Sequence, residues 1–240
     1  LTICVFCPVF IEAQLIMPTE KSIIDADSVR RDFDKGPSFG LCKDNYFIFG
    51  GPIGSRPTKS NTNVKFQISV RQKLTTTTLP LGTYLVLCYS QKVFWNILEE
   101  SLPMTDINYN PGLGLAKPMF KDGKYTGKVI LMVEHESNGK DSIQSRSWNR
   151  VSIGGDLILT NNLLIHTKLW HGSVVLTKRK TWKLDFNTTV EISWQFSRKA
   201  DWCLFLQYYN GYGEGLLDYN MFTSNLRAGI VIRPKLFSNY

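Results

Sequence analysis

An all-β fold is what this sequence predicts, and three observations carry the prediction. After residue 45, apolar residues recur at every second position far more often than at helical spacing, which is the mark of strands. Turn signals such as "NPG", "KDG", "SNG", "NN" and "NGYGEG" separate the alternating runs. Apolar residues make up 43% of the 240 residues and charged ones only 20%, a balance that disfavours a disordered chain.

Strands are expected to begin near residues 45, 64, 83, 110, 127, 147, 163, 172, 190, 202 and 226. In "VKFQISVRQ", Val64, Phe66, Ile68 and Val70 share one face, and Lys65, Gln67, Ser69 and Arg71 the other. In "VEISWQFS", Val190, Ile192, Trp194 and Phe196 oppose Glu191, Ser193, Gln195 and Ser197. Near the C-terminus Ala228, Ile230 and Ile232 oppose Arg227 and Arg233. Strands of this kind fit a soluble sandwich, whose apolar face is the core, and equally a membrane barrel, whose apolar face meets lipid. Periodicity does not choose between them. No run approaches the roughly 20 apolar residues of a membrane helix, which excludes a helical membrane protein and leaves a barrel open. Aromatics near strand ends (Tyr46, Trp95, Tyr109, Trp148, Trp170, Trp182, Tyr208 and Tyr209) suit the interfacial girdles of a barrel, and suit an aromatic core as well.

The net charge is +8, but Lys and Arg are scattered singly and "KRK" at 178–180 is their densest cluster. Solvated loops explain this, with attraction to an anionic membrane surface as the alternative; no nucleic-acid partner is predicted. Five widely spaced cysteines (Cys4, Cys7, Cys42, Cys88 and Cys203) indicate neither a disulfide framework nor a zinc site. "LTICVFCPVFIEAQ" reads as the tail of a signal peptide, with "IEA" a loose cleavage site. The expected organisation is a leader remnant and polar arm over residues 1–40, then one domain over 41–240.

Chemistry concentrates in "HESNGKDSIQSRSWNR", residues 135–150. Along "GKVILMVEHES", Val129, Leu131 and Val133 share a face that continues to His135 and Ser137, while Lys128, Ile130, Met132, Glu134 and Glu136 take the other. In "SWNRVSIGGDLIL", Asn149, Val151 and Ile153 oppose Trp148, Arg150, Ser152 and Asp156. Paired through residues 138–146, the two strands would project His135, Ser137 and Asn149 from one apolar surface near one rim. A serine needs a base to become a nucleophile, and a histidine needs an acceptor to fix its ring. Asn149 could be that acceptor without placing a charge against lipid. The plainer reading is a hairpin whose Ser and Asn satisfy its turn. His166 and His171 lack such a context and read as surface or rim residues.

The segment "VEHESNGKDSIQSRSWNRVS" resembles the active-site segment of the outer membrane phospholipase A family, calcium-dependent bacterial barrel enzymes. "VKFQISV", "YSQKVFW", "EESLP", "NYNPGLGL" and "GYGEGLLDYN" extend the likeness from about residue 40 to the C-terminus. The resemblance implies a closed antiparallel transmembrane β-barrel of twelve strands, with ten as the alternative count. It implies His135 as base, Ser137 as nucleophile and Asn149 as the orienting residue, with the Gly139 N–H in the oxyanion hole. Calcium (Ca2+) would be held by the Ser145 side chain and the Lys140 carbonyl, with Ser101 from a second subunit. The family usually has Arg at Lys140, a change to which a carbonyl ligand is indifferent. Gln91, on an apolar face with Leu85, Leu87, Tyr89, Val93 and Trp95, matches a subunit contact; a rim glutamine reaching water is the alternative. Two departures stand out: residues 151–211 look shorter than the family's by about a hairpin at about 10 residues per strand, and the chain runs three residues past Phe237.

The function implied is a calcium-dependent phospholipase A1/A2, also acting on lysophospholipids, in the bacterial outer membrane and active as a homodimer. The alternative is a catalytically inactive or pore-forming outer-membrane barrel. A soluble β-sandwich binding protein comes third, disfavoured by polar residues on its would-be core face.

Overall fold

A computed structural model describes residues 38–75, 79–121, 124–160, 163–176, 179–181, 187–197 and 201–232, with side chains other than those of 124, 170–176 and 179–181. The expected leader with Cys4 and Cys7, and Arg233, Phe237, Trp182 and the side chains of Trp170 and His171, lie outside the described residues.

The strands are β1 (Phe39–Gly40), β2 (Asn45–Pro52), β3 (Asn63–Lys73), β4 (Tyr84–Trp95), β5 (Met104–Lys121) and β6 (Lys124–Ser137), then β7 (Ser147–Thr160), β8 (Leu163–Leu176), β9 (Arg179–Thr181), β10 (Asn187–Trp194), β11 (Trp202–Tyr212) and β12 (Phe222–Ile232). Most begin where the alternation predicts, but β5 starts at Met104 rather than near 110, and "NPG" (110–112), expected as a turn, lies inside it. Neighbours pair antiparallel in the order β3-β2-β12-β11-β10-β8-β7-β6-β5-β4, and β4 returns to β3. The sheet thus closes on itself as a ten-strand barrel and leaves no free edge in the ring. The short β1 extends the β3 edge that β2 occupies, and β9 extends the β8 edge that β10 occupies.

Ten is the lower of the two expected counts. The starts expected at 163 and 172 belong to the one strand β8, whose polar middle ("HTK") reads as a break in the sequence but crosses the barrel wall unbroken. Residues 172–197 add no further strand to the ring among the described residues; β9 and β10 line up along one edge of β8.

Parity recurs along the strands named in advance, although Val64 and Val93, on the expected apolar face, are buried. Ile68, Leu87, Leu113, Leu131, Val133, Val151 and Ile230 are exposed on the outside, while Lys65, Ser69, Arg71, Glu134, Arg150, Glu191 and Arg227 are buried inside. An apolar exterior around a polar lumen is a membrane barrel, the reverse of a soluble sandwich. The aromatic residues divide differently from the expectation of girdles. Tyr46, Trp148 and Tyr209 face inward and are buried, because each occupies an inward register position. Tyr46 packs with Ile48, Cys203, Phe205 and Val231 in an apolar cluster inside the barrel.

The two ends differ. Two-residue connections join β5 to β6 and β7 to β8, at the end away from residues 137–147, whereas eight to ten residues join the strands at the other end: 53–62, 96–103, 138–146 and 213–221. The connections 74–83 and 195–201 also lie at the end of the two tight turns, so tight turns are confined to that end without filling it, while every connection between ring strands at the other end is long, as in outer-membrane barrels. The loop 213–221 folds into the long-loop mouth: Leu216 is fully buried against Trp148 and Tyr209, and Glu214 pairs with Lys65 at 2.9 Å and Arg227 at 2.5 Å.

The cysteine reading needs correction. Cys42 and Cys88 form a disulfide with a Cα–Cα distance of 5.7 Å, tying the β1–β2 connection to the inner face of β4, while Cys203 is free and buried. A single bridge 46 residues apart leaves no spacing signature. It becomes visible only once β1, β3 and β4 are neighbours.

Candidate active site

The site grows from the β6–β7 pairing. His135 stands directly opposite Asn149, and Ser137 opposite Ser147. His135 and Asn149 are exposed and Ser137 is half-buried, all on the outer face, while their neighbours Glu134, Glu136, Trp148 and Arg150 are buried inside. A one-residue slip of register would send every one of these side chains to the opposite face.

That register is clamped from within. Arg150 donates through Nε to Glu134 at 3.0 Å and through Nη1 to Glu136 at 2.6 Å. Lys168 adds a contact to Glu134 at 2.8 Å and Lys92 one to Glu136 at 3.0 Å. Ser152 donates to Glu134 at 2.7 Å, the indole N–H of Trp148 to Glu136 at 3.2 Å, and Lys43 reaches Glu134 as well. Two buried carboxylates thus meet four cations, and each charge has the partners that burial demands. His166, expected at the surface or rim, is another member of the lumen: its Nδ1 lies 2.5 Å from Asp156, which also pairs with Lys128 at 3.2 Å. Its parity on β8 is inward, and the aspartate is its cross-strand neighbour.

On the outer face the chemistry is neutral. His135 Nδ1 lies 2.9 Å from Asn149 Oδ1. An amide oxygen can only accept, so Nδ1 carries the proton and Nε2 is left with a lone pair, the state a general base needs. The Gly139 backbone N–H donates to Ser137 Oγ at 3.2 Å. A donor aimed at a serine hydroxyl oxygen is placed where it could meet an oxyanion, were that oxygen to attack a carbonyl. Gly139 adopts φ +64°, and a Cβ there would come within 2.8 Å of the Tyr109 ring, so both backbone and space call for glycine.

Asn138, which sequence reasoning passed over, organises the loop. Its Nδ2 donates to the Gln144 carbonyl at 2.9 Å, and its Oδ1 accepts the N–H groups of Lys140 at 3.3 Å and Arg146 at 3.0 Å. The same residue closes the loop neck through its own N–H to the Arg146 carbonyl. An Asn at the end of a strand, two residues before a loop glycine's successor, is the turn-bonding signal that could have marked it.

Lys140 is exposed and Ser145 half-buried in this loop, around the 3-10 turn Ser142–Gln144, while Ser101 is exposed in the loop 96–103. These positions offer hydroxyl and carbonyl oxygens only, and no group of three or more His, Cys, Asp or Glu side chains suited to a metal occurs among the described residues. A hard, oxygen-only donor set fits calcium, provided that waters or a second chain complete a shell of six to eight. Gln91 is half-exposed on the outer face of β4, opposite Tyr109 of β5, and Tyr109 in turn stands opposite Ser137. The row Gln91–Tyr109–Ser137 therefore runs across three adjacent strands.

The profile of a family described as phospholipase A1 matches residues 52–174 and 171–232. The phospholipase A1 of Escherichia coli K12 is 28% identical over 205 residues, which span 70% of this chain and 69% of that protein. The fold is similar to that of outer membrane phospholipase A from Escherichia coli, with a TM-score of 0.56 at 23% identity over 83% of this chain and 93% of the other. It is also similar to a Salmonella typhi outer membrane phospholipase, a dimer with bound calcium, with a TM-score of 0.54 at 23% identity over 82% and 92%.

Proposed function

The chain belongs to the phospholipase A1 family, barrels of the bacterial outer membrane, and we propose that it cleaves phospholipid acyl esters with Ser137, His135 and Asn149. The observation that carries this reading is the hydrogen bond between His135 Nδ1 and Asn149 Oδ1, at 2.9 Å, on the lipid-facing side of the barrel. A substrate that is itself a membrane lipid reaches such a site without leaving the bilayer.

The chemistry follows from the side chains. As Ser137 Oγ attacks the ester carbonyl, His135 Nε2 takes its proton, and Asn149 holds the resulting imidazolium in place. The Gly139 N–H hydrogen-bonds the developing oxyanion. His135 then returns the proton to the departing alcohol oxygen of the lysophospholipid. Water, deprotonated by His135, attacks the acyl-Ser137 ester, and His135 gives that proton to Ser137 Oγ as the fatty acid is released. Calcium, held by the Ser145 hydroxyl and the Lys140 carbonyl with Ser101 of a second copy, would supply positive charge beside the oxyanion. The same chemistry serves either acyl ester and a lysophospholipid.

Dimerisation is part of the proposal. Gln91 would find its partner across a subunit contact, and Tyr109, next to it, would bring that contact up to Ser137. The pore alternative loses support from the lumen, which is crossed by the ion pairs of Glu134, Glu136 and Glu214 and entered by the loop 213–221.

The test is fatty-acid release from mixed detergent–phospholipid micelles, with calcium and with chelator. Wild type should be active with calcium only, and Ser137→Ala inactive in both. Equal activity of the two proteins would end the assignment.

A further inference from the structure

Strand β5 carries a proline inside the barrel wall. Tyr109 pairs with Ser137 and Gly112 with Glu134, so the same register places Pro111 opposite His135, and the pairs at 110 and 111 are missing from the ladder. Proline has no N–H, and in a sheet it leaves the facing carbonyl without its ladder donor. That carbonyl belongs to His135, and an unpaired main-chain oxygen beside the reacting histidine would loosen the strand where the base is mounted.

The gap is filled from inside. Asn110, 4% exposed, donates from Nδ2 to the His135 carbonyl oxygen at 2.7 Å. The amide has one orientation available, because its Oδ1 accepts from Arg150 Nη2 at 3.1 Å, Ser90 Oγ at 3.1 Å and the Lys43 ammonium. Three donors on one atom exclude the flipped amide. The lumen network thus turns the Asn110 N–H group towards β6, and Arg150, which also clamps Glu134 and Glu136, belongs to it.

We propose that Asn110 is a positioning residue for the base: its side chain replaces the N–H that Pro111 lacks and holds the His135 main chain in register with Asn149. The catalytic part of this inference rests on the function proposed above; the ladder contact does not. Asn110 touches no substrate. It acts through His135, so its loss should lower turnover and leave lipid binding alone.

Pro111, exposed on the outer face, makes the inference testable by rescue, since Pro111→Ala restores a backbone donor at the same ladder position. With calcium and micellar phospholipid, Asn110→Ala should lower kcat about tenfold or more with KM within about twofold, the cost of a misplaced catalytic group. Pro111→Ala alone should behave as wild type. Asn110→Ala/Pro111→Ala should recover to within about threefold of wild type, although its lumen lacks the amide as fully as the single variant does. Asn110→Asp, which keeps the acceptor for Arg150, Ser90 and Lys43 but cannot donate at neutral pH, serves where the alanine variant does not fold. Backbone hydrogen exchange over residues 133–138 gives a second readout: faster in either Asn110 variant, restored when Pro111→Ala is added to Asn110→Ala.

Undiminished activity in the Asn110 variants, or a loss that Pro111→Ala does not repair, overturns the positioning role. If wild type itself releases no fatty acid, the phospholipase reading fails, and hydrogen exchange alone decides the ladder contact.

Discussion

The two faces of strands β6 and β7 are built on opposite terms. Inward, Glu134 and Glu136 are buried and joined to Arg150, Lys43, Lys92 and Lys168 by short ion pairs. Outward, one residue along each strand, His135 and Asn149 are exposed, Ser137 is half-buried, and their hydrogen bonds are neutral. Lumen charges can be satisfied because cations converge on them from β4, β7, β8 and the β1–β2 connection. A charge on the outer face would have only lipid for company, which costs up to about 2–4 kcal/mol at mid-bilayer depth. The division of labour follows: the lumen fixes geometry with charge, and the exterior holds neutral groups in that geometry for the chemistry proposed above.

Removing one residue from each face should separate the two roles. Ser137→Ala takes away the nucleophile and should reduce hydrolysis by about 10⁴-fold or more, the scale of losing a nucleophile in a serine triad. Its urea midpoint should match wild type, because a small surface change of this kind falls within about 0.5 kcal/mol. Glu134→Ala should do the reverse in kind. Arg150, Lys168 and Lys43 would be left facing one another in the lumen, at a cost of about 3–5 kcal/mol, read as a lowered unfolding midpoint in detergent. A stable Glu134→Ala protein would show that water in the lumen compensates the cations and that the inner clamp is dispensable.

Acid tests the lumen's other carboxylate cluster, at the mouth. Burial pushes the Glu214 carboxyl upwards, but Arg227 and Lys65 beside it outweigh burial and bring it from the usual 4.5 down to about 2. A carboxylate depressed in the folded state stabilises fully above its unfolded value, and that contribution disappears as pH falls through the folded one. Glu214 should therefore add about 3 kcal/mol that is complete above about pH 4.5 and gone near about pH 2. Unfolding midpoints compared at neutral and acid pH should converge for wild type and Glu214→Gln as pH falls. Parallel curves would mean that Glu214 is no more ionised in the folded protein than in the unfolded one.

Strand parity was legible because lumen and lipid impose opposite polarities on alternate residues, and a barrel repeats that contrast on every strand. The outward set of His135, Ser137 and Asn149 came from the same rule, since each breaks the apolar face it stands on. The rule fails where a feature depends on which strands are neighbours. The polar middle of β8 resembles a turn until its partners β7 and β10 are known to run past it. Trp148 and Tyr209 suit a girdle and a core equally in the sequence, and the structure turns both inward to pack on Leu216 from the loop 213–221. The Cys42–Cys88 bridge, Asn138 at the loop neck and Asn110 behind His135 all join residues distant in sequence or dependent on register. Pro111 is the instructive case: "NPG" reads as a turn in the sequence, and only the strand course and register show a proline inside β5 whose ladder gap faces His135.

The smallest effect expected on the outer face is also the most discriminating. Asn149→Ala removes the acceptor of the Nδ1 proton while leaving Ser137, Gly139 and the inner clamp untouched. The ring would then choose its tautomer and rotamer freely, and hydrolysis should fall by about 10- to 100-fold, the range for a catalytic group held out of place. Asn149→Asp sharpens the point. It restores an acceptor in the same position and with nearly the same shape, but adds a negative charge on the lipid-facing side. If orientation is what Asn149 contributes, the aspartate variant should hydrolyse faster than the alanine variant in detergent micelles, where water reaches the rim. The same variant should lose stability relative to wild type in a bilayer, where the charge is exposed to lipid. Equal activity of Asn149→Ala and wild type would remove Asn149 from the site and leave His135 oriented by the strand alone.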